Sequence, residues 1–301
     1  MSDVLKLIYP QWQGGDIVSF FNDLPEKEIA TGYYLGAQIL NLIVDSINPN
    51  LKNNEIIVPI EKEFYLDKKS KKRIVEEGII DKKIIQKQTT ATFEILNEKQ
   101  PDKILTLGGE CSVSIAPFSY LINKNKDENI ALIWLDAHPD LGVPYDDFYQ
   151  GYHAMAVSAL RGESNLSFSF HLPAHLEGDN ILIVGLHSNE AEHYLKRRES
   201  LGISSFTSND LKQNPKAIYE WLMKRNIQKT LIHLDLDCLN PQEIYAAVGN
   251  TGEFYLKDIA KMINDIQKNS EVMGLTIAEH MPKIQIQLKM LFKDFPLIKN
   301  I

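Results

Sequence analysis

Two short stretches place titratable side chains at alternate positions: Asp136-Ala137-His138-Pro139-Asp140 and Asp235-Leu236-Asp237. Each follows an apolar run, Leu132–Leu135 in the first case and Thr230–Leu234 in the second. Glu279 stands after a third such run and Gly108-Gly109-Glu110-Cys111 after a fourth. Five acids, Asp136, Asp140, Asp235, Asp237 and Glu279, cannot share one cleft without strong repulsion. They either stay partly protonated or are neutralised by cations. Oxygen-rich sites with an imidazole suit Mn²⁺ or another hard divalent ion, and shared aspartates suit a pair of ions about 3.5–4 Å apart. A pair of that kind acidifies water and supplies a nucleophile near neutral pH. A single aspartate at a strand end is more often a helix N-cap, and a single histidine an ordinary hydrogen-bonded one. The combination of D-x-H-x-D with D-x-D, each directly after a buried strand, is what points to a metal platform.

The elements that must position these residues follow from hydrophobic periodicity. Strands are expected at Leu5–Tyr9, Glu55–Ile60, Lys103–Leu107, Ile130–Leu135, Asn180–Val184, Thr230–Leu236 and Val272–Ala278. Helical patterns lie between them at Glu28–Ile47, Ile85–Leu96, Asn189–Leu201, Pro215–Arg225 and Leu256–Lys268. This alternation predicts βαβ crossovers and a parallel sheet covered by helices on both faces. In such sheets ligands bind at the carboxyl ends of the strands, which is where the polar clusters fall. No linker or internal repeat divides the chain, so residues 1–301 are expected to form a single α/β domain.

Composition narrows the partners. The chain has 301 residues and a formal charge of −8, which argues against nucleic acid as a partner. The basic run Asp67–Arg73 reads as a solvated helix start or loop. The N-terminus lacks the pattern of a secretory signal, and no apolar stretch is long enough to span a bilayer, so no membrane partner is expected. Two cysteines, Cys111 and Cys238, make no disulfide framework, and a cytoplasmic location is the default.

Taken in order, Gly108-Gly109-Glu110-Cys111-Ser112, Asp136-Ala137-His138-Pro139-Asp140, His153-Ala154-Met155, Asp235-Leu236-Asp237 and Glu279 with Pro282 resemble the arginase/agmatinase (ureohydrolase) family. The resemblance implies a three-layer αβα sandwich on a mostly parallel eight-stranded sheet, two Mn²⁺ ions, hydrolysis of a guanidino C–N bond, and a homo-oligomer, a trimer or hexamer. It also assigns roles. Asp136 and Asp235 would bridge two metals, His138 and Asp237 would complete one site, and Asp140 and Cys111 the other. His153 would be a catalytic proton shuttle in the substrate loop, with Asp140 as the second catalytic group. Glu279, assisted by His153, would bind the guanidinium of a small cationic substrate, a pairing suited to a bidentate carboxylate. His233 and His280 have no role in the family pattern and read as structural.

The sequence departs from that pattern in four places, one of them Ala154-Met155-Ala156 after His153, where the family more often has Gly and Pro. The family's Gly-Gly-Asp-His-Ser is here Gly-Gly-Glu-Cys-Ser, so a thiol stands where an imidazole ligand is usual. Thiolate prefers Zn²⁺ or Fe²⁺, so those ions, or occupancy by a single metal, are open at the Cys111 site. Gly142 occupies the position of the asparagine that meets the amino-acid head of arginine in arginases. The distal loop Ala246–Gly252 keeps small residues without the usual Gly-Thr-Pro. Arginine is therefore not the expected substrate. Three functions follow: a hydrolase of another guanidino or amidino compound, a non-catalytic homologue with a degraded metal site, or a metal-dependent deacetylase-type amidohydrolase.

Overall fold

The apolar runs become parallel strands, and a short edge strand joins them. The computed structural model describes residues 4–16, 27, 31–70, 72–144, 149–163, 171–187, 190–244, 246 and 252–282. Its strands are β1 (Val4–Tyr9), β2 (Glu55–Ile57), β3 (Val75–Glu76), β4 (Ile79–Ile80), β5 (Lys103–Gly108), β6 (Ile130–Leu135), β7 (Ile181–Val184), β8 (Ser204–Phe206), β9 (Lys229–Asp235) and β10 (Glu271–Ala278). The helices are α1 (Gly32–Ile47), α2 (Lys82–Lys99), α3 (Ile115–Lys124), α4 (Ala156–Arg161), α5 (Glu192–Ser200), α6 (Ser208–Gln213), α7 (Ala217–Lys224) and α8 (Leu256–Asn269). Eight strands form one sheet in the order β2-β1-β5-β10-β9-β6-β7-β8, with every pairing parallel. The pair β3 and β4 is a separate antiparallel hairpin.

Every residue of β6 is buried. Leu132 and Trp134 pack with α3 and α4 on one face, through Phe118, Leu121, Val157 and Leu160. Ala131, Ile133 and Leu135 pack with Trp221 and Leu222 of α7 and Ile259 and Ile266 of α8 on the other. Period-two alternation thus divides one strand between two cores, which is the three-layer αβα arrangement. The order also does the positioning. The four strands that carry the polar motifs, β5, β10, β9 and β6, are consecutive in the sheet and point the same way. Their carboxyl ends therefore share one stretch of rim.

Some elements differ from expectation for identifiable reasons. In α3 all residues from Ile115 to Ile122 are buried, so it has no polar face and no amphipathic period to read. Helices α4 and α6 have six residues each, too few for a periodic signal. Strand β8 is three half-buried residues at the sheet edge. The basic run needs a correction. Lys68, Lys69 and Lys72 are exposed, but Arg73 is buried, donating to Asp81 Oδ2 from Nη2 at 2.7 Å and from Nε at 3.1 Å. Its Nη2 also reaches Gln13 O at 2.5 Å and its Nη1 reaches Gly15 O. Arg73 thus clamps the loop after β1. Glu28, Lys71 and Asn189, and residues 247–251 of the distal loop, lie outside the described residues.

Candidate metal centre

Backbone amides at the strand ends hold one oxygen of each central carboxylate, and the second oxygen meets a side chain, Trp134, His138 or Cys111. Asp136 Oδ1 accepts from His138 N at 2.6 Å, and Asp235 Oδ1 from Asp237 N at 2.7 Å. These are Asx turns, the same local bonding that makes aspartate a cap residue. Asp237 Oδ1 accepts from Ala137 N at 3.1 Å, which ties the β9 turn to the β6 turn. Of the second oxygens, Asp136 Oδ2 accepts from Trp134 Nε1 at 2.8 Å, Asp237 Oδ2 lies 2.7 Å from His138 Nδ1, and Asp235 Oδ2 accepts from Cys111 Sγ at 3.2 Å. Capping and clustering are therefore done by the same side chains.

The turn after β5 brings in the thiol. A Cβ at Gly109 would lie 1.8 Å from Gln11 O, so only glycine lets this turn pass the exit of β1. Glu110 then caps the 3-10 turn Cys111–Ser114, its Oε2 accepting from Ser112 N at 2.7 Å. Its Oε1 accepts from Ser112 Oγ at 2.8 Å and Gln11 Nε2 at 2.7 Å. Cys111 Sγ lies 3.6 Å from Glu279 Oε1, and Cys111 N donates to the same oxygen at 3.2 Å. Glu279 N donates to Gly109 O at 2.7 Å, which locks β10 to this turn. The free thiols Cys111 and Cys238 are both buried, in cores on opposite faces of the sheet.

Three groups of donor atoms lie within 4.8 Å of one another: Asp136, His138 and Asp237; Cys111, Asp136, His233 and Asp235; and Cys111, His153 and Glu279. Asp140 stands outside these groups among the described residues, and its Oδ2 is buried without a hydrogen-bond partner. Asp140 and Glu279 both have left-handed backbones, φ 47° and 61°. Each such residue costs about 1–3 kcal/mol, and strain of this kind concentrates where side-chain direction matters. Asp140 O, accepting from Val157 N at 3.1 Å at the start of α4, helps to hold the first of them.

Electrostatics express the crowding. Burial, then Asp237, pushes Asp136 up to about 6. Burial and neighbouring carboxylates hold Asp140 and Asp235 well above the usual range, and the same influences raise Cys111. Burial alone would lower His138, but Asp237 beside it raises it well above an ordinary histidine. Burial would raise Asp237, but His138 holds it below the usual value. His233, buried beside Trp134, is pushed down to about 3 and is neutral. A buried orphan oxygen, carboxylates that hold each other's protons on, and thiol and imidazole donors beside them fit divalent cations.

A cleft of about 350 Å³ opens on the cluster, lined by Cys111, His138, Asp140, Tyr149, His153, Asp235, Asp237 and Glu279, with Ala154, Glu190 and Tyr194 among its other walls. Asp136 is fully buried beneath it. All the site residues read from the sequence are thus brought together. A larger groove of about 620 Å³, bordered by α6, α7 and α8, contains none of them. His153 Nδ1 lies 3.2 Å from Glu279 Oε1 and its Nε2 lies 2.7 Å from Tyr149 Oη. Tyr149 Oη in turn accepts from Asp16 N at 2.7 Å, in the loop that Arg73 clamps. Burial opposes protonation of His153, but its bond to Glu279 outweighs this and raises it. Tyr149 was not singled out in the sequence: it stands four residues before His153 with no motif or period to mark it, and its anchor at Asp16 is far away in the chain. Gly142 N donates to Ala154 O at 2.8 Å, and a Cβ there would lie 2.8 Å from that oxygen.

The arginase family model matches residues 60–290, more than half of the chain. The chain belongs to the arginase family. An arginase from Staphylococcus aureus is 28% identical over 193 residues, 62% of this chain and 60% of that protein. An arginase from Entamoeba histolytica is 22% identical over 190 residues. This arginase-family chain spans about three fifths of the length of these curated relatives, 64% and 60%. Among solved structures, Entamoeba histolytica arginase in complex with L-ornithine has a TM-score of 0.75 at 17% identity, covering 94% of this chain and 92% of that one. The formimidoylglutamase of Bacillus subtilis has a TM-score of 0.60 at 15% identity, covering 94% and 81%. At these identities the likeness is one of fold. Among the described residues, no helix of this family member is long and apolar enough to cross a membrane.

Proposed function

We propose that this arginase-family chain is a metal-dependent hydrolase of a guanidino or amidino C–N bond, acting on a small cation other than arginine. The observation that carries it is the convergence of three elements in one cleft: the Asp136–His138–Asp237 group, the Cys111–Asp235 pair, and Glu279 held against His153. When bound, two divalent cations would neutralise the carboxylates and acidify water to give a nucleophile near neutral pH. Asp136 and Asp235 would be shared between them, with His138 and Asp237 on one side and Asp140 and Cys111 on the other. Glu279 would orient a guanidinium through charge-assisted hydrogen bonds, and a neutral carbonyl substrate would leave that carboxylate without a cation to meet. This favours amidine hydrolysis over deacetylation.

His153 would carry the proton. In its neutral form Tyr149 donates to Nε2 and Nδ1–H faces Glu279; as an imidazolium it donates from both nitrogens. To give a proton to a departing amine it would release one of these two bonds, and it would re-form that bond on regaining a proton. Gly142 supports the exclusion of arginine, since its space is closed by Ala154 O. That a formimidoylglutamase shares the fold is consistent with an amidine other than arginine as substrate. The chain would act as one domain, and a trimer or hexamer, as in the family, would register by light scattering.

Glu279→Gln tests the substrate role. Metal content is expected to stay at the wild-type level while kcat/KM for a guanidino substrate falls by about 2–4 kcal/mol, roughly 30- to 1,000-fold. Metal and activity lost in equal measure would make Glu279 a ligand or a structural group.

A further inference from the structure

We propose that His233 supplies an imidazole ligand to a mixed cysteine–histidine–aspartate metal site built with Cys111, Asp136 and Asp235. The proposal rests on the metal-dependent reading above. The turn after β5 carries a thiol where the family pattern has an imidazole. An imidazole stands close by on another strand: His233 is two residues before Asp235 in β9, on the same face. A ring nitrogen of His233, Cys111 Sγ, an oxygen of Asp136 and an oxygen of Asp235 all lie within 4.8 Å of one another, and all four residues are buried.

The ring is also held as a ligand would be. Its Nδ1 lies 2.7 Å from Ser114 Oγ, and Ser114 belongs to the same 3-10 turn as Cys111. One turn therefore presents the sulfur and orients the imidazole. The ring stacks on Trp134 at 3.6 Å between centroids and 12° between planes, while Trp134 Nε1 fixes Asp136. Its Nε2 is fully buried and has no hydrogen-bond partner. A buried polar atom without a partner is costly, and a metal bond would supply the missing partner. His153 is the competing imidazole near Cys111, but both of its nitrogens are already engaged, by Glu279 and Tyr149. Binding at Cys111 would form a metal–sulfur bond and release the thiol proton to solvent.

Sulfur, an imidazole nitrogen and carboxylate oxygens from Asp136, Asp235 and Asp140 would suit Zn²⁺, Fe²⁺ or Co²⁺. The Asp136–His138–Asp237 group, with no sulfur, keeps its preference for Mn²⁺. The centre would thus hold two different metals that share Asp136 and Asp235.

Cobalt reports on this without any assay of turnover. The full chain, stripped with chelator and titrated with Co²⁺, is expected to show a thiolate-to-cobalt charge-transfer band that Cys111→Ser abolishes. His233→Gln should weaken Co²⁺ at this site roughly 100-fold or more, and Ser114→Ala, which frees the ring, roughly 10-fold. His153→Gln should leave both band and affinity in place, and Mn²⁺ binding at the other site should be unchanged in all four variants. X-ray absorption of the wild-type chain with one equivalent of Zn²⁺ needs no variant to fold. It should give one sulfur at about 2.3 Å together with an imidazole. A zinc–sulfur shell with no imidazole, or a His233→Gln spectrum and affinity equal to wild type, would overturn the role of His233 and leave metal dependence standing. Failure of the wild type to bind any divalent ion would overturn both.

Discussion

Asp235→Asn is expected to abolish turnover, by on the order of 10³-fold or more, and to lower bound metal at both positions. The amide matches the carboxylate in shape, and its oxygen can still accept from Asp237 N, so the fold should survive. What disappears is the charge that would offset two dications. A second signature follows from the crowding. Asp235 is held well above the usual carboxylate range by burial, Asp237 and Asp136. Replacing it with a neutral group should therefore raise the melting temperature of chelator-stripped protein at pH 8, by a few degrees. The same variant should gain little from added metal. Full metal occupancy with wild-type turnover would show that Asp235 is not shared between two ions.

The stripped wild-type chain should lose stability as pH rises from about 5 to 8, by several degrees in melting temperature. Asp136, Asp140 and Asp235 have raised values, so the folded chain keeps protons that the unfolded chain has lost above about pH 4. Each then favours folding less as pH climbs through its folded value. His138 acts in the same direction: raised by Asp237, its contribution is complete below about pH 6.5 and is lost as pH rises through its folded value. Asp237, lowered by His138, opposes this only in acid, where its contribution fades as pH falls. Divalent metal should reverse the slope, because ligands must be deprotonated to bind. At a hundredfold excess over Kd the gain is about 2.7 kcal/mol per site. A stripped chain that grows more stable across this range, with no larger metal response at the alkaline end, would contradict a carboxylate cluster built for cations.

Much of this centre was legible because strand periodicity survives folding. Alternate positions on β6 and β9 put Asp136 and Asp235 at the same rim, and the consecutive order of β5, β10, β9 and β6 gathers the rest. His233 was readable by the same period, as H-x-D-x-D, but a histidine inside an apolar run looks structural until its neighbours are known. Tyr149 and Arg73 were not readable, since their partners, His153, Asp16 and Asp81, are set by loop contacts with no sequence period. The fold was legible wherever helices are amphipathic. It was hidden where α3 is buried on all sides and where β8 is too short to show a pattern.

Urea or ammonia release is the most direct test of the central claim. Stripped protein would be reloaded with Mn²⁺, Zn²⁺, Fe²⁺ or Co²⁺, singly and with Mn²⁺ in pairs, and assayed against guanidino and amidino compounds that include arginine. The expected result is hydrolysis that requires added metal, is best with Mn²⁺ paired with a softer ion, and prefers a small cation to arginine. Metal-loaded protein that binds its ions fully and hydrolyses none of these compounds would contradict it.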